Sequence, residues 1–382
     1  MTSSSQHTLS PSPTITAENV DKPRVLIVGA GLAGLTLAIL LQSAGVPYDI
    51  FERGLNARTV GSAIFLEPSV GPLFTQIGIY DEFLERSKAC EATNVYNENR
   101  EMQFVIDYKL VAEMGGFASR VIPRTTLYDI LLNKVSKDRI HKGKKMVSLY
   151  QDKERVVIYF ADGSHYEGDI LVGADGAYSA VRHCLYETLD QEGRLLPTDA
   201  EDLPYSSICL AGHSGPFETD TFPSLKDAFC RYDSVHSSEK PYSIHPAGGQ
   251  GALMAFHDVV TLANWINVLT PSSTIQETEK AFRTYKEERL PLVRDAAVHS
   301  KNMTQVSATT FRAEMSRYVT NHMPDWLWRL VNAKKVAYRP QASFLPFVKD
   351  HGSVAPASQR SYKETLKILE RRRKQLCCNE GA

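Results

Sequence analysis

Three glycines near the amino end of the chain have the spacing of a phosphate-binding turn. Gly29, Gly31 and Gly34 stand in the sequence GAGLAG, directly after a short run at 24–28 that is rich in β-branched residues. At this spacing the first glycine permits a tight turn, the second leaves room for a phosphate, and the third lets a helix pack close to a strand. The first N–H groups of that helix attract anions. A dinucleotide pyrophosphate is therefore predicted to lie against Gly29, Gly31, Leu32, Ala33 and Gly34.

An acidic residue follows at the distance that a nucleotide-binding unit requires. Residues 32–43 are apolar helix formers ended by Gly45, and residues 48–51 form a second predicted strand. Glu52 stands at the carboxyl end of that strand, about 20 residues after Gly34. A carboxylate there can accept hydrogen bonds from both ribose hydroxyls of an adenosine, and it repels a 2′-phosphate. The unit therefore favours FAD or NAD over NADP at this site.

A second turn built from small residues follows another predicted buried strand at 170–172. The strand runs into the sequence GADGAYSAVR, which contains Asp175 and Gly176, and a helix is expected from Ser179. Small residues let the backbone approach a ligand at the carboxyl edge of a sheet. Taken alone, Asp175-Gly176 fits a plain turn equally well.

Further elements follow from periodicity and turn residues. Helices are predicted at 69–78, 124–137, 253–269 and 274–289, the last ended by Leu290-Pro291, and a hairpin is predicted from 145–150 and 154–160. The region 187–243 is polar and weakly patterned, and the chain after 300 is mostly helical with an irregular stretch at 338–358. Trp326-Leu327-Trp328 is interpreted as core packing, and His257 as structural rather than catalytic.

Composition excludes several classes of protein. The 382 residues carry a formal net charge of −1, so no basic face for nucleic acid is expected. The six cysteines have neither metal-type nor disulfide-type spacing, which indicates free thiols in a reducing, cytoplasmic environment. No apolar run is long enough for a transmembrane segment, and residues 1–22 are expected to be a disordered leader rather than a secretory signal. The basic stretch at 367–374 is typical of a solvated helix face, with peripheral membrane contact as the alternative.

Taken together, these motifs resemble the FAD-dependent aromatic hydroxylase family, which includes enzymes similar to p-hydroxybenzoate hydroxylase and salicylate hydroxylase. The motifs that carry the resemblance are GAGLAG, Glu52-Arg53, PRTTL around Arg124, GADGAYSAVR, PAGGQGA at 246–252 and YKEERLP at 285–291. The similarity is strongest over residues 23–185.

The resemblance implies a role for each motif. FAD would be the resident cofactor, with its pyrophosphate on the glycine turn and its adenosine ribose on Glu52. Arg124 would contact the cofactor, and Asp175 would lie near the pyrophosphate and the approach of the nicotinamide nucleotide. Backbone N–H groups of the PAGGQGA loop would stabilise the negative charge of reduced flavin. The complete set of expected cofactor-binding residues is Gly29, Gly31, Leu32, Ala33, Gly34, Glu52, Arg53, Arg124, Asp175, Gly176, Gly248, Gly249, Gly251 and Ala252.

The resemblance also implies an architecture. We expect an α/β fold, in which a three-layer Rossmann-like FAD-binding domain is joined to a small β-rich substrate region and a helical C-terminal extension. The FAD-binding domain would comprise residues 23–186, with substrate-region elements inserted around 80–120, and residues 244–300. A shortened substrate region would occupy 187–243, and the extension 301–382.

The implied activity is monooxygenation. NAD(P)H would reduce FAD transiently, O2 would react at C4a of the flavin to give a hydroperoxide, and one oxygen atom would pass to a small aromatic or hydrophobic substrate. Among the places where the chain departs from the family, about 70 residues separate Gly176 from Gly249, and no Gly-Asp pair stands shortly before Pro246, where the family usually has one. The alternatives are therefore another flavoenzyme, either an oxidase or a dehydrogenase, or a catalytically impaired FAD-binding remnant.

Overall fold

The computed structural model describes residues 22–56, 63–96, 99, 101–200, 220–221, 250–306, 311–349 and 351–379. The predicted leader apart from Lys22, most of the predicted substrate region 187–243, and the predicted flavin-loop glycines Gly248 and Gly249 lie outside the described residues.

The centre of the molecule is a four-stranded parallel sheet in the order β12-β1-β2-β8. Its strands are β1 (Val25–Val28), β2 (Tyr48–Glu52), β8 (Ile140–Lys142) and β12 (Ile170–Gly173). All four residues of β1 are buried, as expected for a strand that is covered on both faces. In register, Val28 lies opposite Phe51 of β2 and Gly173 of β12. The carboxyl ends of these three strands therefore meet at one edge of the sheet.

The two faces of this sheet are covered by different layers. Because successive side chains of a strand point to opposite faces, Val25 and Ile27 pack in one core cluster with the helix Leu32–Ser43, whereas Leu26 and Val28 pack in another. The second cluster includes Ile158 of an antiparallel sheet, β11-β10-β9. Its strands are β9 (Met146–Gln151), β10 (Val156–Phe160) and β11 (His165–Gly168). The predicted three-layer arrangement is confirmed as helices, parallel sheet and antiparallel sheet.

Helix α1 (Leu32–Ser43) crosses between β1 and β2. Its sequence LAGLTLAILLQS is apolar on all sides, which suits a helix that is buried all round. It packs against the sheet, against α5 (Arg124–Leu132) and against α8 (Gln250–Asn267). Gly45 follows it with a φ of 66°, as predicted for a glycine that ends a helix.

The remaining elements surround this core. The strands of two smaller antiparallel sheets are β3 (Ala63–Leu66), β4 (Lys88–Ala89), β5 (Ala92–Tyr96), β6 (Met102–Asp107) and β7 (Arg120–Pro123). The other helices are α2 (Gly71–Gln76), α3 (Tyr80–Arg86), α4 (Lys109–Gly115), α6 (Ala180–Gln191), α7 (Pro197–Ala200), α9 (Ile275–Val306), α10 (Phe311–Asn321), α11 (Asp325–Ala337) and α12 (Arg360–Asn379). Short 3-10 turns lie at Pro68–Val70 and Lys137–Arg139.

The prediction that a helix ends at Leu290-Pro291 is wrong, because α9 continues through Pro291 to Val306. Proline removes one hydrogen bond and crowds the preceding turn, but packing holds the helix on both sides of it. Arg289 forms a 2.7 Å ion pair with Asp258 of α8 on one side, and Ala296 is buried on the other.

Two further expectations need correction. The predicted helix 124–137 ends at Leu132, because the chain turns there and Ser136 donates to the Gln42 side chain before β8 begins. Trp326 is not a core residue: its side chain is 67% exposed, whereas Trp328 packs beside Val336. Among the described residues, no helix is both long and apolar enough to cross a bilayer.

Candidate functional site

The glycine turn after β1 is shaped by the neighbouring strand end. Gly29 has a φ of 107°, and its N–H donates to the carbonyl of Phe51 at 2.8 Å. A Cβ added at Gly29 would lie 2.5 Å from the carbonyl oxygen of Ala174, which follows β12. Both the positive φ and this close approach require glycine. The glycine turn after β1 and the Asp175 turn after β12 are therefore in direct contact at Gly29.

The other two glycines differ in the space around them, which is crowded at Gly34 and open at Gly31. A Cβ at Gly34 would lie 2.0 Å from the carbonyl oxygen of Gly29, so helix α1 can only approach the turn with glycine there. A Cβ at Gly31 would meet no atom within 4 Å. Gly31 is thus unnecessary for the packing of the protein itself, and its missing side chain leaves open space at the start of the helix.

That open space lies at the amino end of α1. Gly31 is the cap residue, the first intrahelical bond runs from the Leu35 N–H to the Gly31 carbonyl, and the first turn contains no acidic side chain. The N–H groups of Leu32, Ala33 and Gly34 therefore precede the hydrogen-bonded part of the helix. Such a helix start favours an anionic group.

Glu52 is fixed beside this turn. Its Oε2 accepts a hydrogen bond from the Ala30 N–H at 3.0 Å, and its Oε1 accepts one from the Gly54 N–H at 2.8 Å. A carboxylate has about four lone-pair sites, so each oxygen keeps capacity for a further donor. Arg53, the next residue, is exposed.

Asp175 lies at the same sheet edge and also caps the start of helix α6. Its Oδ2 accepts from the backbone N–H groups of Ala180 at 2.6 Å and Val181 at 3.3 Å, which caps the start of α6. Its buried Oδ1 has no hydrogen-bond partner among the described residues. Gly176 is exposed and has a φ of 80°. The turn thus combines a helix cap with one buried acceptor that has no partner among the described residues.

Arg124 is the half-buried first residue of α5, and Tyr128 follows it by one turn. Burial raises the pKa of Tyr128, the Glu52 carboxylate raises it further, and Arg124 lowers it. The phenol therefore lies within the electrostatic range of both predicted cofactor-binding side chains. Sequence reasoning missed Tyr128, although its position one turn after Arg124 was a usable signal.

The predicted flavin loop is described only at its end. Gly251 and Ala252 lie in the first turn of α8, where Gly251 is exposed and Ala252 packs against the main core. The preceding residue, Gln250, is buried and donates from its side chain to Glu67 at 3.1 Å. Gln250 and Glu67 were also missed, because a contact between such distant parts of the chain leaves no local signal.

The structure therefore brings Gly29, Gly31, Gly34, Glu52 and Asp175 together at the carboxyl edge of the parallel sheet. Arg124 is linked to them through Tyr128, and Gly251 and Ala252 begin a helix that packs along α1. The site consists of the free N–H groups at the start of α1, the Glu52 carboxylate that two backbone N–H groups orient, and the open space beside Gly31. This set suits a pyrophosphate joined to a ribose, which is the common part of FAD and NAD.

Comparison with known proteins favours FAD over NAD, because the family that the chain matches is an FAD-binding one. A model described as "FAD binding domain" matches residues 22–212, which is half of the chain. The chain belongs to this FAD-binding domain family. The match contains β1, the glycine turn, Glu52, Arg124 and the Asp175 turn.

Curated relatives of the chain are named FAD-dependent monooxygenases. The chain is 28% identical over 196 residues to the FAD-dependent monooxygenase dpasE of Apiospora sacchari, covering 50% of this chain and 41% of that protein. It is 32% identical over 220 residues to the FAD-dependent monooxygenase verC1 of Penicillium polonicum, covering 56% of this chain and 27% of that protein. The chain thus spans less than half the length of these relatives.

Solved structures confirm the fold. Klebsiella pneumoniae HpxO, solved with FAD and uric acid, superposes with a TM-score of 0.56 at 17% identity, covering 78% of this chain and 92% of that one. The 2,6-dihydroxypyridine-3-hydroxylase of Arthrobacter nicotinovorans superposes with a TM-score of 0.52 at 17% identity, covering 76% and 93%. The expected FAD-binding α/β fold is therefore confirmed.

Proposed function

We propose that this chain is an NAD(P)H-dependent FAD monooxygenase that hydroxylates a small aromatic or hydrophobic substrate with O2. One observation carries the proposal. The space beside Gly31 is open, lies at an uncapped helix start, and is bordered by a carboxylate that two backbone N–H groups already orient. A protein with no phosphate ligand has no packing reason to keep glycine there.

The residues present fit the ADP half of FAD. The pyrophosphate would lie against Gly29, Gly31 and the N–H groups that open α1, and the ribose hydroxyls would donate to Glu52. Arg124 would contribute positive charge, with Tyr128 beside it. Asp175 would lie near the pyrophosphate, where its Oδ2 caps α6. The open first turn of α8 at Gly251 and Ala252 would direct N–H groups to the flavin ring.

Bound FAD would supply the redox chemistry: with the two electrons of a hydride from NAD(P)H, one oxygen atom of O2 would enter the substrate and the other would leave as water. The chain's own task would be to bind, to orient and to exclude water. The α8 N–H groups would stabilise negative charge on the reduced ring, and no acid–base pair is required of the described residues. The names of the curated relatives support monooxygenation, and the hydroxylase among the structural neighbours supports a small ring as substrate.

The test begins with the absorption spectrum of the purified protein. We expect flavin bands, and we expect NADH or NADPH oxidation that rises when a phenolic substrate is added under air. A colourless protein that takes up no FAD on reconstitution would refute the proposal. Flavin reduction by a substrate without NAD(P)H would instead identify an oxidase or dehydrogenase.

A specific observation also favours the impaired remnant. The stretch between Gly176 and Gly249 is short for the family that the chain resembles. At 100 times its Kd, FAD should stabilise a competent site by about 2.7 kcal/mol. A melting temperature that FAD does not raise would therefore support the remnant.

A further inference from the structure

Glu67 is a buried carboxylate that joins three separate segments of the chain. It directly follows β3 and is only 8% exposed. Its Oε1 accepts a hydrogen bond at 3.1 Å from the side chain of Gln250, the first residue of α8. The same oxygen lies 2.6 Å from Nζ of Lys335, in the last turn of α11. One carboxylate oxygen therefore connects the end of a strand to the start of one helix and the end of another.

The position of Glu67 is determined by the strand pair that also leads to Arg124. Strand β3 pairs with β7 in antiparallel register, with Ala63 opposite Pro123. Pro123 immediately precedes Arg124, the proposed cofactor contact at the start of α5. At the other end of β3, Leu66 immediately precedes Glu67. The same two strands thus determine where Arg124 begins its helix and where Glu67 meets α8.

Gln250 occupies the place from which the proposed flavin contacts begin. It is only 2% exposed, and Gly251 and Ala252 follow it in the first turn of α8. The first N–H groups of a helix have no partner within the helix, and those of this turn are proposed to face the flavin ring. The bond from Gln250 to Glu67 therefore limits the directions in which these N–H groups can point.

Stability alone does not explain why the group at this junction is charged. Replacing a buried ion pair with apolar residues of similar size is often neutral or stabilising. A carboxylate forms shorter and stronger hydrogen bonds than a neutral acceptor does, so it fixes the amide of Gln250 more firmly. The ammonium group of Lys335 offsets the negative charge of Glu67. This balance favours a flavin ring that becomes negative on reduction.

We propose that Glu67 is a positioning residue, which holds the start of α8, through Gln250, in the orientation in which its N–H groups stabilise reduced flavin. Lys335 restrains the carboxylate and balances its charge. The inference rests on the proposed FAD site and deepens it, because Glu67 acts on the flavin only through Gln250.

The first test removes the donor and leaves the charge unchanged. Gln250→Met keeps a side chain of similar length, and Glu67 stays paired with Lys335. We expect the reduction potential of bound FAD to fall by about 30 mV, which for a two-electron couple is a tenfold weaker preference for the reduced form. Spectral titration against a reference dye, on protein loaded with FAD, measures this potential.

A buried polar contact further along the same helix provides the control. The hydroxyl of Thr261 is buried and lies 3.2 Å from that of Tyr338. Thr261→Val removes this contact without changing the shape of the side chain. It should lower the melting temperature and leave the potential of the flavin as it is in the parent.

The second test compares Glu67→Met with Glu67→Gln. Both variants remove the same charge, but only glutamine keeps an oxygen that can accept from Gln250, so the potential should be about 30 mV lower with methionine. Equal potentials in these two variants, or the parent's potential in Gln250→Met, would show that Glu67 only stabilises the fold and would overturn the inference. A parent protein that takes up no FAD would overturn the proposed function as well.

Discussion

The variant Gly31→Ala should weaken FAD binding while leaving the stability of the apoprotein nearly unchanged. The added Cβ meets no protein atom within 4 Å, and the backbone at Gly31, with φ −78° and ψ −174°, is open to alanine. Alanine gains about 0.5 kcal/mol through the unfolded chain and loses a similar amount as a helix cap. The free energy of unfolding of the apoprotein should therefore change by less than about 0.5 kcal/mol.

The same methyl group should weaken FAD binding, because it occupies the space proposed for a phosphate. Overpacking of this kind costs about 1–3 kcal/mol, which corresponds to a roughly 5- to 150-fold rise in Kd. Titration of the apoprotein with FAD, followed by quenching of flavin fluorescence, measures Kd. Urea denaturation of the same apoprotein measures stability.

Two comparison variants sharpen this experiment. Gly34→Ala places a Cβ 2.0 Å from the Gly29 carbonyl oxygen, so it should lower both stability and FAD affinity. Ser43→Ala, at the far end of the same helix, removes one hydroxyl that bonds to Ile39 and should leave FAD affinity unchanged. If Gly31→Ala binds FAD as tightly as the parent does, the pyrophosphate does not lie against this turn and the reasoning fails.

Three further predictions rest on single contacts. Glu52→Gln should raise the Kd of FAD by about tenfold, because a charged acceptor of the ribose hydroxyls becomes neutral; an unchanged Kd by fluorescence titration would contradict this. Burial alone would raise the pKa of Asp49, but hydrogen bonds from His141 and Arg24 lower it below its ordinary value. Asp49 therefore stabilises the fold above about pH 4 and loses that contribution as the pH falls further. Asp49→Asn should cost about 2 kcal/mol in urea denaturation near pH 7 and progressively less as the pH falls below about 4; a loss that does not change with pH would count against it. Pro291→Ala should raise the free energy of unfolding by about 1–3 kcal/mol, because the helix regains a hydrogen bond; a loss of stability would show that packing of α9 depends on the proline.

The strand, turn and helix of the proposed nucleotide crevice were predictable because their determinants are local. Within about 30 residues, the steric demands of Gly29 and Gly34 and the alternation along β1 specify a strand, a turn and a helix. The capping residue Ser179 likewise predicted the start of α6, where its Oγ accepts from the Arg182 N–H at 3.0 Å. Such interactions involve neighbours in sequence, so residue type and spacing suffice to find them.

Contacts between distant segments could not be predicted in this way. The continuation of α9 through Pro291 depends on the ion pair with Asp258, and local propensity alone predicted a helix end. The ion pair between Lys335 and Glu67 and the electrostatic effect of Glu52 on Tyr128 also depend on how the helices pack. A single sequence gives no periodicity or motif for these contacts.

The double attachment of Glu52 connects the fold to the proposed binding. Its two oxygens accept hydrogen bonds from the N–H groups of Ala30 and Gly54. The carboxylate therefore anchors the glycine turn, in addition to its proposed contact with the ribose. Because neither bond involves the cofactor, both would order the turn independently of FAD, and an ordered turn has less conformational entropy to lose when FAD binds. Glu52→Ala should consequently weaken binding more than Glu52→Gln, because glutamine keeps one oxygen that can hold a backbone N–H. Equal losses in the two variants would show that the charge matters and the ordering of the turn does not.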